Sequence, residues 1–341
     1  MAWAGCVVES PEYITNGVVT FHFTSSSHTT SATYNVGTTQ TYAQVSNVQL
    51  EYNTTYSVYA SCTATNGTAV ESGTTTLTTP VPTVMPTESW LELPAEDKGV
   101  LYPNAVELKM KVNGERNYTA YYDKKTYTSM WTAYPLQSKH MGSESRPGSW
   151  SYNPEIEESY QVNLCDKSYN DNYSRGHLIP NASRNGNKSM QLQTFHVTNS
   201  VPQIQNSFNG GIWQNLEAAL QSEADSGETL YIVTGVAFNK VGETKTIQYT
   251  TAKEDSKSIP VPNYFYKVVL KVKTNSSGTV TSASTVGFWF EHKTYSDSYT
   301  NYSVTVDQIE QWTGFDFFAN LPDAIETTAE TNSSYSTFTS F

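Results

Sequence analysis

Over the first 80 or so residues apolar and polar positions alternate with a period of two, the spacing of half-buried strands. Val18-Val19-Thr20-Phe21-His22-Phe23-Thr24, Thr55 to Thr65 and Thr74 to Thr78 carry this pattern, and Asn-Gly pairs at 16–17 and 66–67 supply turns. Several short strands in such a length predict an all-β sandwich. Thr79-Pro80-Val81-Pro82-Thr83-Val84-Met85-Pro86 then places three prolines within seven residues, a semi-stiff linker. Beyond it the pattern turns mixed. Strands are predicted at Glu107 to Val112, Tyr118 to Asp123, Thr128 to Leu136, Thr229 to Val236, Phe265 to Val272 and Val286 to Glu291. Ile212, Leu216, Ala219 and Leu220 recur at helical spacing and predict a helix starting near Asn209. A second helix is predicted from Val306, with Thr305 as N-cap, Gln308 completing a capping box and an end near Gly314. The Thr/Ser-rich tail from Thr327 to Phe341 is expected to be loosely held.

A chain of 341 residues suits the same division: a sandwich over 1–80, a linker over 81–89 and an α+β domain over 90–341. Composition adds exclusions. With 37% hydrophobic and 15% charged residues the chain can bury a core, and no window reaches the roughly 18 apolar residues of a membrane helix. Ala4-Gly5-Cys6 resembles the end of a lipoprotein cleavage site, and the expected location is secreted, periplasmic or cell-surface, with the signal peptide absent from this sequence. Cys6 and Cys62 either form a bridge or pack as free thiols, and Cys165 has no evident partner.

The net charge of −12 argues against a protein that coats nucleic acid or docks on anionic lipid. The charges are nevertheless unevenly placed. Residues 1–85 hold no Lys or Arg and four acids, so the remainder carries 20 basic against 28 acidic side chains. Of four arginines, Arg116, Arg146, Arg175 and Arg184, three fall between 146 and 184. Arginine suits bidentate contact with phosphate, so an anionic substrate is expected there. The sandwich, lacking cations, is expected to space the chain or to bind a surface or carbohydrate partner.

Within that stretch, Tyr173-Ser174-Arg175-Gly176-His177-Leu178-Ile179-Pro180 places Arg175 and His177 on one face of an extended strand, with Gly176 permitting close approach by a ligand. If the helix begins at Asn209, that carboxamide and the carboxylate of Glu217 fall about 80° apart around it and could face one pocket. The bland readings are a structural histidine, a helix cap for Asn209 and a solvated acid for Glu217.

Two family resemblances follow from these residues. Leu50 to Ala60 looks like the tyrosine corner of a fibronectin type III or immunoglobulin-like domain. The run Arg175-Gly176-His177 to Arg184, then Thr198-Asn199 to Gln203, then Asn209-Gly210-Gly211-Ile212-Trp213 to Leu216-Glu217, resembles the DNA/RNA non-specific endonucleases, whose active site is a ββα-metal (His-Me) finger. Met130 to Leu136 with Ser145-Arg146-Pro147 upstream, and Val233-Thr234-Gly235, Ile259 to Lys267 and Ile309 to Phe318 downstream, extend the likeness over roughly residues 90 to 326.

The resemblance implies an antiparallel sheet with helices on both faces and metal-dependent hydrolysis of DNA and RNA. His177 would be the general base, with Asn199 orienting its ring. Asn209 would be the direct protein ligand of one Mg²⁺, for which Mn²⁺ could substitute, and Glu217 would hold the ion's waters. Arg146 and Arg175 would bind the scissile phosphate, and Arg184 is a further phosphate candidate. Two positions depart from the family pattern. Ser174 stands where an Asp commonly precedes Arg-Gly-His, and Gln221 where an Arg often follows the helix acid. A catalytically decayed nucleic-acid-binding or surface module is therefore the rival reading. A secreted hydrolase of another class is a second, disfavoured because no carboxylate pair stands out and Cys165 has no activating signature.

Overall fold

The computed structural model describes residues 2–48, 50, 54–79, 89–97 and 99–341, so the linker prolines and part of the tyrosine-corner segment lie outside the described residues. Chain contacts divide into two units, residues 1–82 and 83–341.

The first unit is all-β. Strands β1 (Ala2–Val7), β2 (Val18–Thr24), β3 (Thr29–Asn35), β4 (Tyr42–Val48), β5 (Thr55–Thr63), β6 (Ala69–Glu71) and β7 (Thr75–Thr78) form a β1-β4 pair and a larger sheet in which β2 and β5 are central. The alternation read from sequence sets the faces: Val19, Phe21 and Phe23 of β2 and Tyr56, Val58 and Ala60 of β5 bury into one core with Ala43 and Val45. Cys62 keeps that parity at the core's edge. Cys6, Cys62 and Cys165 are all free thiols. The Tyr56 hydroxyl meets His28 Nδ1 at 2.9 Å, tying β5 to the turn before β3.

The second unit is built on a seven-stranded sheet. Its strands are β8 (Ala105–Val112), β9 (Glu115–Asp123), β10 (Thr128–Leu136), β13 (Leu230–Ala237), β16 (Tyr264–Thr274), β17 (Val280–Glu291) and β18 (Ser303–Val304), every neighbouring pair antiparallel. Two ribbons stand apart: β11 (Tyr173–His177) with β12 (Ser200–Ile204), and β14 (Gln248–Thr250) with β15 (Ile259–Val261). The helices are α1 (Lys188–Gln193), α2 (Gln214–Asp225), α3 (Val306–Thr313), α4 (Asp323–Ala329) and α5 (Tyr335–Thr339).

Helices cover both faces. In antiparallel register Lys267 lies opposite Phe288 and Val268 opposite Gly287, so these two pairs face opposite sides. Lys267 and Lys271 reach Glu217 and Glu223 of α2 on one side. On the other, a Cβ on Gly287 would stand 2.7 Å from Ile309 of α3, so only glycine permits that approach.

Three expectations are corrected. The helix does not begin at Asn209: Ser207 is left-handed (φ 62°) and Gly210 and Gly211 are non-helical, so Gln205–Trp213 forms an irregular wide turn and regular helix starts at Gln214. Thr305 Oγ1 accepts the Gln308 amide at 3.0 Å, but the Gln308 side chain donates to Gln311 and leaves the capping box half made. The tail is packed, with Phe338 fully buried, because its few apolar side chains fall on the sheet side of two short helices.

Candidate functional site

A cleft of about 560 Å³ opens beside the β11-β12 ribbon, lined by Arg146, Trp150, Ser174, Arg175, His177, Gln205, Asn209, Glu217 and Gln221 among others. The order strand, strand, helix delivers these groups. β11 brings Ser174, Arg175 and His177, β12 turns the chain back, the wide turn brings Asn209, and the first turn of α2 brings Glu217. Asn209 and Glu217 thus share the cleft as expected, though through the bend of the turn and not through helical spacing.

Arg175 and His177 lie on one face of β11 and share Trp150 as a platform: the guanidinium carbon is 5.4 Å and the imidazole centroid 4.5 Å from its rings. Phe195 closes the imidazole edge-on at 4.9 Å. His177 makes no hydrogen bond with the described residues, and its Nε2 is enclosed. Burial first, then the charges of Arg146 and Arg175, push its pKa down to about 3, so the imidazole is neutral at physiological pH. Arg146 is exposed, stacks on Phe195 at 5.1 Å and forms no ion pair with the described residues. Arg175 is braced, its Nη1 donating to the carbonyls of Leu164 at 2.7 Å and Cys165 at 3.1 Å.

Asn209 is held by its amide nitrogen, which donates to Ser174 Oγ at 3.1 Å and Gln205 Oε1 at 3.0 Å. Its Oδ1 is left without a partner among the described residues. Ser174 in turn donates to the Gln203 carbonyl at 3.0 Å, so the residue that departs from the family pattern positions Asn209. Glu217 lies against Lys267, Oε1 to Nζ 3.7 Å, a separation too long for a hydrogen bond. Lys267 is buried, donates to Thr234 Oγ1 at 2.8 Å and sits 4.3 Å over the Trp213 ring. Burial raises the Glu217 pKa and lowers that of Lys267, each partly offset by the other's charge. Gln221 donates to Ser183 Oγ at 3.2 Å.

The structure removes two residues from the site and reassigns a third. Arg184 is fully buried, donating to Asn117 Oδ1 (2.5 Å) and to the carbonyls of Ser183 (2.6 Å), Asn117 (2.8 Å) and Pro135 (2.8 Å), which leaves it unavailable to phosphate. Asn199 does not touch the His177 ring. Its Oδ1 accepts the Ile179 amide and its Nδ2 donates to the Ile179 and Thr194 carbonyls, bracing the backbone just after β11. What approaches Gly176 is no ligand but the Gln203 side chain, whose Oε1 would stand 2.1 Å from a Cβ there. Trp150, Phe195 and Lys267 went unread in the sequence. Only Lys267 left a signal, a cation in the inward register of the apolar run Tyr264 to Leu270.

The chain is similar to known nucleases. The chain is 26% identical over 222 residues to a nuclease of Nostoc sp., covering 63% of this chain and 76% of that one. It is 25% identical over 216 residues to the mitochondrial Nuclease 1 of Schizosaccharomyces pombe, covering 60% of this chain and 65% of the relative. A chain from the crystal structure of the EndoG/EndoGI complex superposes with a TM-score of 0.49 at 16% identity, covering 67% of this chain and 93% of that one. The family model of the DNA/RNA non-specific endonucleases matches residues 101–324, well over half of the sequence, and the chain belongs to that family.

Proposed function

We propose that the second unit hydrolyses phosphodiester bonds of DNA and RNA in this cleft through a ββα-metal centre, with His177 as general base. The observation that carries the reading is an imidazole kept neutral and free of hydrogen bonds between Trp150 and Phe195, beside two arginines. Arg146 and Arg175 would clamp the scissile phosphate. Because Nη1 of Arg175 is fixed on two carbonyls, the guanidinium is already oriented when the substrate arrives. A phosphate between the guanidiniums also cancels the charges that depress His177, raising its basicity where a proton must be taken from the attacking water.

The donor set fits the hard divalent cation the family implies. Asn209 Oδ1 is an unshared oxygen on a carboxamide fixed through its nitrogen, and Glu217 is an enclosed carboxylate whose Oε1 has no hydrogen-bond partner. When bound, Mg²⁺ or Mn²⁺ supplies positive charge to the phosphate oxygens. Asn209 would hold it directly and Glu217 through water, with Lys267 fixing Glu217 from below. The decayed-module reading loses ground, since Ser174 and Gln221 are both engaged at the cleft. The first unit, without lysine or arginine, is assigned to spacing or surface attachment outside the cytoplasm of a bacterium.

The test is digestion of supercoiled plasmid and single-stranded RNA with Mg²⁺ or EDTA. The wild type is expected to cut both substrates only with metal, and His177→Ala and Asn209→Ala to lose about 10²- to 10⁴-fold in rate. Cutting that survives in either variant, or a wild type inactive between pH 6 and 9, would overturn the proposal.

A further inference from the structure

A second group of carboxylates lies away from the cleft, where the C-terminal helices meet the sheet. Asp307 and Glu310 stand one turn apart on α3, and Glu330 follows the last residue of α4. One oxygen from each lies within 4.8 Å of the other two. The backbone fixes the arrangement: the Val306 amide donates to the Glu330 carbonyl at 3.2 Å, and Thr285 Oγ1 of β17 donates to the Ala329 carbonyl at 2.7 Å. Glu326 adds a fourth carboxylate, and the charge of Asp316 is felt by Glu310, Glu326 and Glu330.

Clustered acids alone would mean little. Glu330 supplies a separate observation: the residue is only 5% exposed, and its Oε1 is enclosed with no hydrogen-bond partner. Among the described residues no lysine or arginine pairs with Asp307, Glu310, Glu326 or Glu330. Burial and the neighbouring carboxylates raise the pKa of Glu310, Glu326 and Glu330, so their charged forms are disfavoured unless a cation is present, even though Glu310 Oε1 accepts the Phe317 amide at 2.7 Å. Protons relieve the repulsion when no ion is bound, and a cation that takes the site must displace them.

We infer that Asp307, Glu310 and Glu330 form a structural calcium site that fastens the segment after residue 324 to α3. The donors are all carboxylate oxygens, which excludes the nitrogen and sulfur preference of zinc. Calcium takes six to eight oxygens at about 2.3–2.6 Å in flexible geometry, and three oxygens within 4.8 Å of one another are close enough to share one such ion. Magnesium keeps several waters and needs a tighter octahedron, which the dry Glu330 carboxylate does not suit. Glu330 lies beyond the residues matched by the family and takes no part in the cleft.

Calorimetric titration of the whole chain with calcium chloride tests this, together with thermal unfolding in calcium against EDTA. The wild type is expected to bind calcium and to unfold several degrees higher with it. Asn209→Ala, altered in the cleft, should keep both properties. Glu330→Gln and Asp307→Asn should weaken binding on the order of 100-fold and abolish the calcium-dependent rise. In EDTA, Glu330→Gln should unfold above the wild type, because the variant no longer has to neutralise a buried carboxylate on folding. A wild type whose unfolding ignores calcium, or a calcium effect that persists in both carboxylate variants, would overturn the inference. Neither readout depends on nucleic-acid cleavage, so failure here is distinct from failure of the nuclease reading.

Discussion

Arg175 and Arg184 stand nine residues apart in one run, and their surroundings are opposite in kind. Arg184 spends its guanidinium inside the protein, on three carbonyls and a carboxamide, and although burial lowers its pKa to about 10 it stays charged. Arg175 spends one nitrogen on backbone and turns the rest of its charge toward Arg146 and His177 in the cleft. The cleft repeats this thrift: His177 has no hydrogen bond, Asn209 leaves its oxygen unshared, and Arg146 has no ion pair among the described residues. Saturated polar groups hold a fold together. Groups left unsaturated at a surface are what a charged substrate can use.

The sharpest break of the comparison is Arg184→Ala. It strands the oxygens of Asn117, Ser183 and Pro135 in a dry interior, and should cost about 3–5 kcal/mol in equilibrium unfolding by denaturant. Arg146→Ala is the converse: nuclease turnover should fall about 100-fold, near 2.7 kcal/mol of transition-state stabilisation, while unfolding shifts by less than about 0.5 kcal/mol. If Arg146→Ala instead unfolded the protein with turnover intact, the distinction between the regions would be lost. Ser174→Ala removes one of two anchors of Asn209 and should lower turnover about tenfold, with more Mg²⁺ needed for half-maximal rate.

The smallest effect is on pH. His177 titrates near 3 when folded and near 6.5 when unfolded, so between these values the unfolded chain holds the extra proton. The stabilisation is complete above pH 6.5 and is lost as pH falls toward 3. His140, near 3, and His292, near 4, act in the same sense. Replacing His177 by Phe should reduce the loss between pH 7 and about pH 5.7 by about 1 kcal/mol, read from urea unfolding at both values. An unchanged slope would mean that His177 is not held neutral.

Much of the fold was legible because it rests on local pattern. The period-two run at Val18 to Thr24 and the strand predicted at Thr128 to Leu136 have those bounds, and Thr305 and Gly314 capped α3 as read. The turn at Asn209 was not legible, because helical spacing of Ile212 and Leu216 does not reveal that Ser207 and two glycines leave helical geometry just before them. Arg184 and Asn199 misled for a related reason. A motif gives neighbours along the chain, whereas burial depends on Asn117, Pro135 and Thr194, which come from elsewhere.

The sequence by itself determined the family and set a cation-free, strand-patterned first stretch apart from a mixed remainder, and the family resemblance singled out Arg146, Arg175, His177, Asn209 and Glu217. Residue types and ordered motifs along the chain carry that much. Tertiary structure alone decided that Trp150 and Phe195 hold the histidine, that Ser174 anchors Asn209, that Lys267 lies under Glu217 and that Glu330 meets Asp307 and Glu310. Each of these joins residues far apart in sequence or across a turn, and only the folded chain sets the distance and the loss of water that give such pairs their energy.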